Sequence, residues 1–311
     1  MKVLLPDTLP LHLDVPDGVT TVVLDLTAPI PDAHTDAEVL VTWGQGVHRL
    51  RRIAAALPRL RWVQTLSAGP DAVLDAGLAP HVFVTSGRGL HDLTVAEHAL
   101  MLILAGVRRV DAMVRAQDEH RWARELGGLQ PMRPEGRLTT LLGARVVVWG
   151  FGSIGQTLAP YLRMLGADVR GIAQTAGARA GFEVSDDVDG ELAAADVLVM
   201  VLPSLPETRH ALDARRLSLL PGHAWVVNVG RGATIDEEAL IAALDAGAIG
   251  GAALDVTETE PLPADSPLWA APNFILSPHA AGGRPVGAER LLEENLAAFV
   301  EGRELRNVVR P

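Results

Sequence analysis

Residues 150–155 read Gly150-Phe151-Gly152-Ser153-Ile154-Gly155, a G-x-G-x-x-G pattern. It follows the apolar run Arg145–Trp149 and opens a helix-compatible stretch that closes near Gly166. In that context each glycine has a task. Gly150 permits the tight turn, Gly152 lets backbone approach a pyrophosphate, and Gly155 lets the helix pack against the strand. The helix N-terminus then faces the anion. Phe151, Ser153 and Ile154 complete the expected loop, and the chemistry it implies is binding of NAD or NADP.

Such a turn is normally followed, about 20 residues on, by a carboxylate for the ribose hydroxyls. The corresponding place here is Ala173, 18 residues past Gly155. Asp168 opens the same strand, so it is expected at the far end. A carboxylate would repel a 2′-phosphate, and its loss favours NADP. Gln174, Thr175 and Arg179 are the expected phosphate contacts. The fingerprint also lies mid-chain, behind a long α/β stretch, unlike its N-terminal position in L-lactate or L-malate dehydrogenases.

Residue inventory narrows the chemistry further. The sole lysine is Lys2 and the sole tyrosine Tyr161. A Walker-type phosphate loop, Schiff-base catalysis and a Tyr–Lys proton donor are thereby excluded. No cysteine is present, which removes disulfides, thiolate metal sites and cysteine nucleophiles. His91 and His98 are seven residues apart, too far for one ion, and no H-E-x-x-H exists. No metal is expected. His91 is expected to line a substrate cleft.

The elements that must carry these groups are legible as alternating runs. Lys2–Leu5, Thr21–Leu26, Glu38–Trp43, Trp62–Leu66 and Val82–Thr85 read as strands, with a helix at His48–Leu57. A second series has strands at Arg145–Trp149, Asp168–Ala173, Asp196–Leu202, Ala224–Val229, Gly250–Asp255 and Phe274–Leu276. Its helices are Ser153–Leu165 and Glu237–Ala246, and a C-terminal helix covers Val286–Gly302. Strands alternating with helices predict parallel α/β sheets. Thr94 is the expected N-cap, with Glu97 as capping-box partner, of a helix that is apolar almost all round from Ala99. Such a helix belongs to a core or to a domain junction and subunit interface. Residues 124–143, rich in Gly and Pro, read as an excursion.

The chain has 311 residues, 48% of them hydrophobic, and a net charge of −11 from 27 basic and 38 acidic residues. The length predicts two domains at about 100–200 residues each. The acidic balance predicts no nucleic-acid partner. No apolar run approaches membrane-spanning length, and no targeting segment is recognisable, so no membrane association and a cytoplasmic location are expected.

Several segments in order make the chain resemble the D-isomer-specific 2-hydroxyacid dehydrogenases, closest to the glyoxylate/hydroxypyruvate reductase branch. They are Ser67-Ala68-Gly69, Thr94-Val95-Ala96-Glu97, Asn228-Val229-Gly230-Arg231-Gly232, Ala253-Leu254-Asp255-Val256 with Glu260-Pro261-Leu262, and Ser277-Pro278-His279 with Gly282-Gly283. The resemblance covers nearly the whole chain. It implies two Rossmann-like or flavodoxin-like parallel-sheet domains with the active site in the cleft between them. The substrate domain would be 1–93 plus 284–311, and the dinucleotide-binding domain 94–283.

By the same resemblance Arg231, Glu260 and His279 are the catalytic residues. Arg231 suits a 2-keto acid because its planar fork of donors matches carboxylate and carbonyl oxygens. His279 suits proton transfer, and Glu260 would orient and charge it. Ser67, Ala68 and Gly69 would bind the substrate carboxylate, alongside Arg231 and His279. Leu202, Pro203, Thr208, Val229, Gly230 and Asp255 would line the cofactor site, with Asp255 facing the nicotinamide amide. The activity implied is NAD(P)H-dependent reduction of a small 2-keto acid such as glyoxylate or hydroxypyruvate to a D-2-hydroxy acid, by a homodimer. Two other readings remain: a nucleotide-sensing regulatory protein on the same fold, and a dehydrogenase of another small anion such as formate or phosphite.

Overall fold

The computed structural model describes residues 1–132 and 134–310. The chain divides into two compact units. The first holds Met1–His91 and Gly282–Pro311, and the second Asp92–Ala281.

In the first unit, strands β1 (Lys2–Pro6), β2 (Thr20–Leu24), β3 (Val39–Thr42), β4 (Trp62–Thr65) and β5 (Phe83–Thr85) run parallel in the order β5-β4-β3-β1-β2. The strand Val308–Arg310 adds to β5 antiparallel. Strand side chains alternate between faces, so two cores form. Val3, Leu5, Val39, Val41 and Trp62 pack on one side with Leu291, Leu292 and Leu296 of the helix Ala288–Val300. Leu4, Leu40, Val63 and Val84 pack on the other with Leu50 and Ile53 of the helix Val47–Ala56.

The second unit repeats the arrangement on a larger scale. Its strands are β6 (Arg145–Trp149), β7 (Asp168–Ile172), β8 (Gly177–Arg179), β9 (Phe182–Ser185), β10 (Val197–Met200), β11 (Trp225–Asn228), β12 (Gly251–Leu254) and β13 (Phe274–Leu276). They are ordered β13-β12-β11-β10-β6-β7-β9-β8, parallel except for the β8–β9 hairpin. The near-continuous apolar runs of β6, β10, β11 and β12 are those of strands covered on both faces. Val146, Val148, Val197, Val199 and Val227 face the helices Asp92–Val107 and Ser153–Met164. Val147, Trp149, Leu198, Met200 and Val226 face the other way, onto Leu217, Leu240 and Leu244.

One local expectation changes, one of two alternatives is met, and two elements appear that the sequence reading lacked. The helix after β5 begins at Asp92, so Thr94 lies inside its first turn and cannot be the N-cap. Residues 99–107 belong mainly to the unit's core. Ala99, Leu102, Ile103, Gly106 and Val107 are buried, and Gly106 leaves the room that the Trp225 ring fills. The polar stretch after Ile172 forms the β8–β9 hairpin, and a further helix, Val110–Asp118, precedes the 124–143 excursion. Among the described residues no helix is long and apolar enough to cross a membrane.

Candidate active site

The fingerprint sits at the C-terminal end of β6, where parallel sheets place ligand crevices. Gly150 has φ +98°, and a Cβ there would stand 2.6 Å from the Val201 carbonyl oxygen. Gly155 abuts Val148, while a Cβ on Gly152 would meet nothing within 4 Å. The turn is therefore closed on its inner side and open at Gly152, the position that must admit a diphosphate. The first intrahelical bond runs from the Gln156 N–H to the Gly152 carbonyl at 2.9 Å. The N–H groups of the first turn consequently lack intrahelical acceptors, as an anion-binding helix end requires. These features fit a bound dinucleotide.

Around that turn the structure sorts the sequence candidates. Phe151 is buried, packed on Gly171 and Phe182, so only its backbone belongs to the loop. The Ser153 hydroxyl donates to Asp92 at 2.9 Å, and Ile154 packs against the core. Ala173, Gln174 and Thr175 follow the end of β7, with Gln174 and Thr175 exposed. Arg179 reaches back from β8. Its guanidinium donates to the carbonyls of Phe151 at 3.3 Å and Thr175 at 3.0 Å, which fixes a positive charge beside the glycine turn. Asp168 stands at the opposite end of β7, paired with Arg145 at 2.9 Å.

The segment after β10 is wedged between glycines. Gly150 lies against Val201, and a Cβ on Gly230 would stand 2.7 Å from Leu202 backbone atoms. Leu202 and Val229 are buried, and Pro203 is exposed. The Thr208 hydroxyl donates to the Pro203 carbonyl at 2.6 Å and accepts the Leu205 N–H at 2.9 Å, so it shapes the 203–208 turn rather than presenting a free group.

Arg231, Glu260 and His279 come from the loops after β11, β12 and β13. Asn228, fully buried, builds the first of these loops. Its side-chain oxygen accepts the Gly230 N–H at 2.9 Å, and its amide donates to the Arg231 carbonyl at 3.0 Å. The Thr257 N–H donates to Glu260 at 3.2 Å. Glu260 Oε2 is 2.7 Å from His279 Nδ1, with the two side chains 39% and 50% exposed. A carboxylate only accepts, so Nδ1 carries the proton in this pair and Nε2 points away from it.

Hydrogen bonding, burial and charge together shift both pKa values. The hydrogen bond that His279 donates to Glu260 is the main cause that raises His279 above its ordinary value. Burial opposes it, the Glu260 and Asp255 charges add to it, and the Arg231 charge opposes it. Burial pushes Glu260 up, but the His279 hydrogen bond and charge, the Thr257 N–H and the Arg231 charge together bring it below the usual carboxylate range. The arrangement is a guanidinium coupled to an imidazolium–carboxylate pair, suited to binding a small oxyanion and moving one proton.

Asp255 has a task that its motif did not reveal. It is only 2% exposed, so it does not face an open surface. Its carboxylate accepts from the Ser277 hydroxyl at 2.6 Å, the Ala280 N–H at 2.8 Å and the Ala281 N–H at 3.1 Å, with His98 Nε2 at 3.1 Å. Such a network gives the buried carboxylate hydrogen-bond partners and anchors the His279 loop. In the first unit, Ser67, Ala68 and Gly69 follow β4 and are partly buried. His91, 3% exposed, does not line an open wall. Its Nε2 is 2.8 Å from the Leu66 carbonyl and its ring stacks on Trp43, so it supports that loop from within. Asn228, Thr257 and Gly232 were missed as positioning residues. The only signal for Asn228 and Gly232 was their place beside Arg231.

A glycine turn at the end of β6 and a charged triad at the ends of three further strands define a dinucleotide-dependent oxidoreductase. Residues 100–281 match the family of the D-isomer specific 2-hydroxyacid dehydrogenase NAD binding domain. The chain is 35% identical to a glyoxylate reductase of Aeropyrum pernix over 267 residues, 81% of this chain and 77% of that protein. It is 32% identical to glyoxylate/hydroxypyruvate reductase B of Escherichia fergusonii over 263 residues, 82% and 79% of the two chains. It spans only 44% of the mycobacterial D-3-phosphoglycerate dehydrogenases that it also matches. A D-isomer specific 2-hydroxyacid dehydrogenase of Xanthobacter autotrophicus, solved with NADPH and MES, superposes with a TM-score of 0.82 at 31% identity, covering 99% of this chain and 97% of that one. The chain belongs to the D-isomer specific 2-hydroxyacid dehydrogenases, NAD(P)-dependent oxidoreductases of 2-keto and 2-hydroxy acids.

Proposed function

We propose that the protein reduces a small 2-keto acid of the glyoxylate or hydroxypyruvate type to the D-2-hydroxy acid. The observation that carries this reading is the pairing of His279 with Glu260 at 2.7 Å, in loops after the C-terminal ends of parallel strands, the same end of the sheet that holds the glycine turn. Similarity to reductases named for those two acids supports the substrate class.

NADPH or NADH, held at Gly150–Gly155, supplies the hydride when bound. The chain's own part is positioning and proton transfer. Arg231 binds the substrate oxygens and polarises the carbonyl. His279, kept protonated by Glu260, delivers its Nε2 proton to the carbonyl oxygen as that atom becomes a hydroxyl. The first unit is the proposed substrate unit, with backbone N–H groups around Ala68 and Gly69 offered to the carboxylate; the Ser67 N–H donates to the Thr65 hydroxyl at 3.2 Å. The decisive experiment is a screen of 2-keto acids against both cofactors. NADPH binding without oxidation by any acid would favour a nucleotide sensor, and turnover confined to formate or phosphite would favour the other rival.

NADPH is the proposed preference, because Ala173 brings no carboxylate and Arg179 is held at the turn. Arg179→Ala is expected to lower kcat/KM for NADPH about 10–100-fold, the equivalent of a ~1.5–3 kcal/mol charge-assisted hydrogen bond. The NADH value should change little. A wild-type preference for NADH above about tenfold, the equivalent of ~1.4 kcal/mol, contradicts this assignment.

A homodimer is also proposed. In the second unit Val110, Met113, Val114, Trp122, Leu129 and Met132 are exposed, Trp122 by 88%. These exposed apolar side chains cluster in sequence between residues 110 and 132, beyond the 99–107 segment, which belongs mainly to the core. Leu129→Asp is expected to shift the mass measured by light scattering from dimer to monomer. A wild-type monomer at micromolar concentration refutes the assembly.

A further inference from the structure

We propose that His98 is a positioning residue for the reaction, latching the loop that presents His279 through Ser277 and the buried Asp255 carboxylate. The inference rests on the reading of His279 as proton donor.

His98 projects from the helix Asp92–Val107, 179 residues away in sequence from Ser277. Its Nε2 is 2.8 Å from Ser277 Oγ and 3.1 Å from Asp255 Oδ1. The same Oδ1 lies 2.6 Å from Ser277 Oγ, so the serine proton occupies that contact. A bare Nε2 lone pair would then face only oxygen lone pairs. Nε2 must carry a proton, and His98 is a donor here.

The Asp255 carboxylate therefore has four donors: His98, Ser277 and the N–H groups of Ala280 and Ala281. The last two belong to the residues directly after His279. The His279 N–H itself donates to the Asp255 carbonyl at 2.8 Å. His279 has φ +52°, a left-handed conformation that a side-chain-bearing residue keeps only when its surroundings impose it. The imposing contacts converge on Asp255, and His98 is the one that ties them to a different element. Removing its N–H leaves a buried carboxylate short of a donor. The relief open to the loop is to shift, which carries His279 away from Glu260.

His98→Phe keeps the ring and removes the donor, whereas His98→Gln keeps an N–H at similar reach. With folding checked by thermal melting, His98→Phe is expected to lower kcat for keto-acid reduction roughly 10–100-fold, as displacements near 1 Å do. KM for the acid should stay within about threefold, the range of ordinary context effects on uniform binding. His98→Gln should recover most of the loss. An independent readout is the His279 titration by NMR in cofactor-free protein. The groups acting on that ring are Glu260, Arg231 and Asp255. Loosening the Glu260 bond in His98→Phe should move the titration down towards an ordinary imidazole. Unchanged kcat and titration in His98→Phe overturn the proposal, as does equal impairment of His98→Gln. If His98→Phe does not fold, Ser277→Ala is measured in its place: a lowered kcat with a lowered titration supports the latch, and unchanged values overturn it. Wild-type protein inactive on every 2-keto acid would defeat the functional reading alone, because the titration is measured without turnover.

Discussion

His279→Ala is expected to lose roughly 10²–10⁴ in turnover, the contribution of a positioned acid–base group. The ring is half exposed, so its truncation should leave the melting temperature nearly unchanged while removing the proton at Nε2. Turnover close to wild type would take His279 out of the mechanism. The pH dependence follows from the same pair. Glu260 raises the His279 pKa above the ordinary 6.5. Reduction needs the protonated ring, so its rate should hold through pH 6.5 and fall as pH rises through the elevated value. Oxidation of the hydroxy acid needs the neutral ring and should rise over the same interval. Glu260→Gln keeps a hydrogen-bonding side chain but not the charge, and should move both limbs to lower pH. Linkage has the same sign: the stability this pair lends through His279 is full below the unfolded imidazole pKa and is lost as pH passes the folded one.

Gly232→Ala should be as damaging, although residue 232 bears no chemistry. A Cβ there would overlap the backbone carbonyl of Thr257, with the Glu258 nitrogen close behind. Backbone cannot rotate aside as a side chain can, so the loop after β11 must part from the loop after β12. Those loops carry Arg231 and Glu260. Overpacking of this kind costs about 1–3 kcal/mol, and a displacement near 1 Å costs about 10²-fold in rate. The expected result is a lowered melting temperature together with a kcat reduced about a hundredfold, a usual cost of such misplacement. Gly222→Ala is the matched control, because its Cβ would meet only the Ala248 carbonyl oxygen, at 3.9 Å. Full activity in Gly232→Ala would show that the two loops do not need their close approach.

Most strands of both sheets were readable because their signal is local; Val308–Arg310, which completes the first sheet, was not. A run such as Arg145–Trp149 is β-branched, apolar and bounded by glycine, whatever lies across from it. The weak elements were polar and short. The β8–β9 hairpin has little apolar content, and its formation places Arg179 at the glycine turn, which no spacing rule reports. Thr94 looked like a helix cap because a hydroxyl precedes Glu97. The structure starts the helix at Asp92 and leaves Thr94 inside its first turn.

Residue types and their order determined the chemistry available to this chain: a diphosphate turn, a guanidinium, a carboxylate and an imidazole, with no thiol and a single N-terminal lysine to rival them. Tertiary structure alone decided which backbones touch and which donors serve a buried charge. Gly232 meets Thr257, and His98 meets Asp255, across separations that no periodicity spans. The reason is physical: side-chain patterning records the local choice between burial and water, whereas close approach is set by how whole sheets and helices stack.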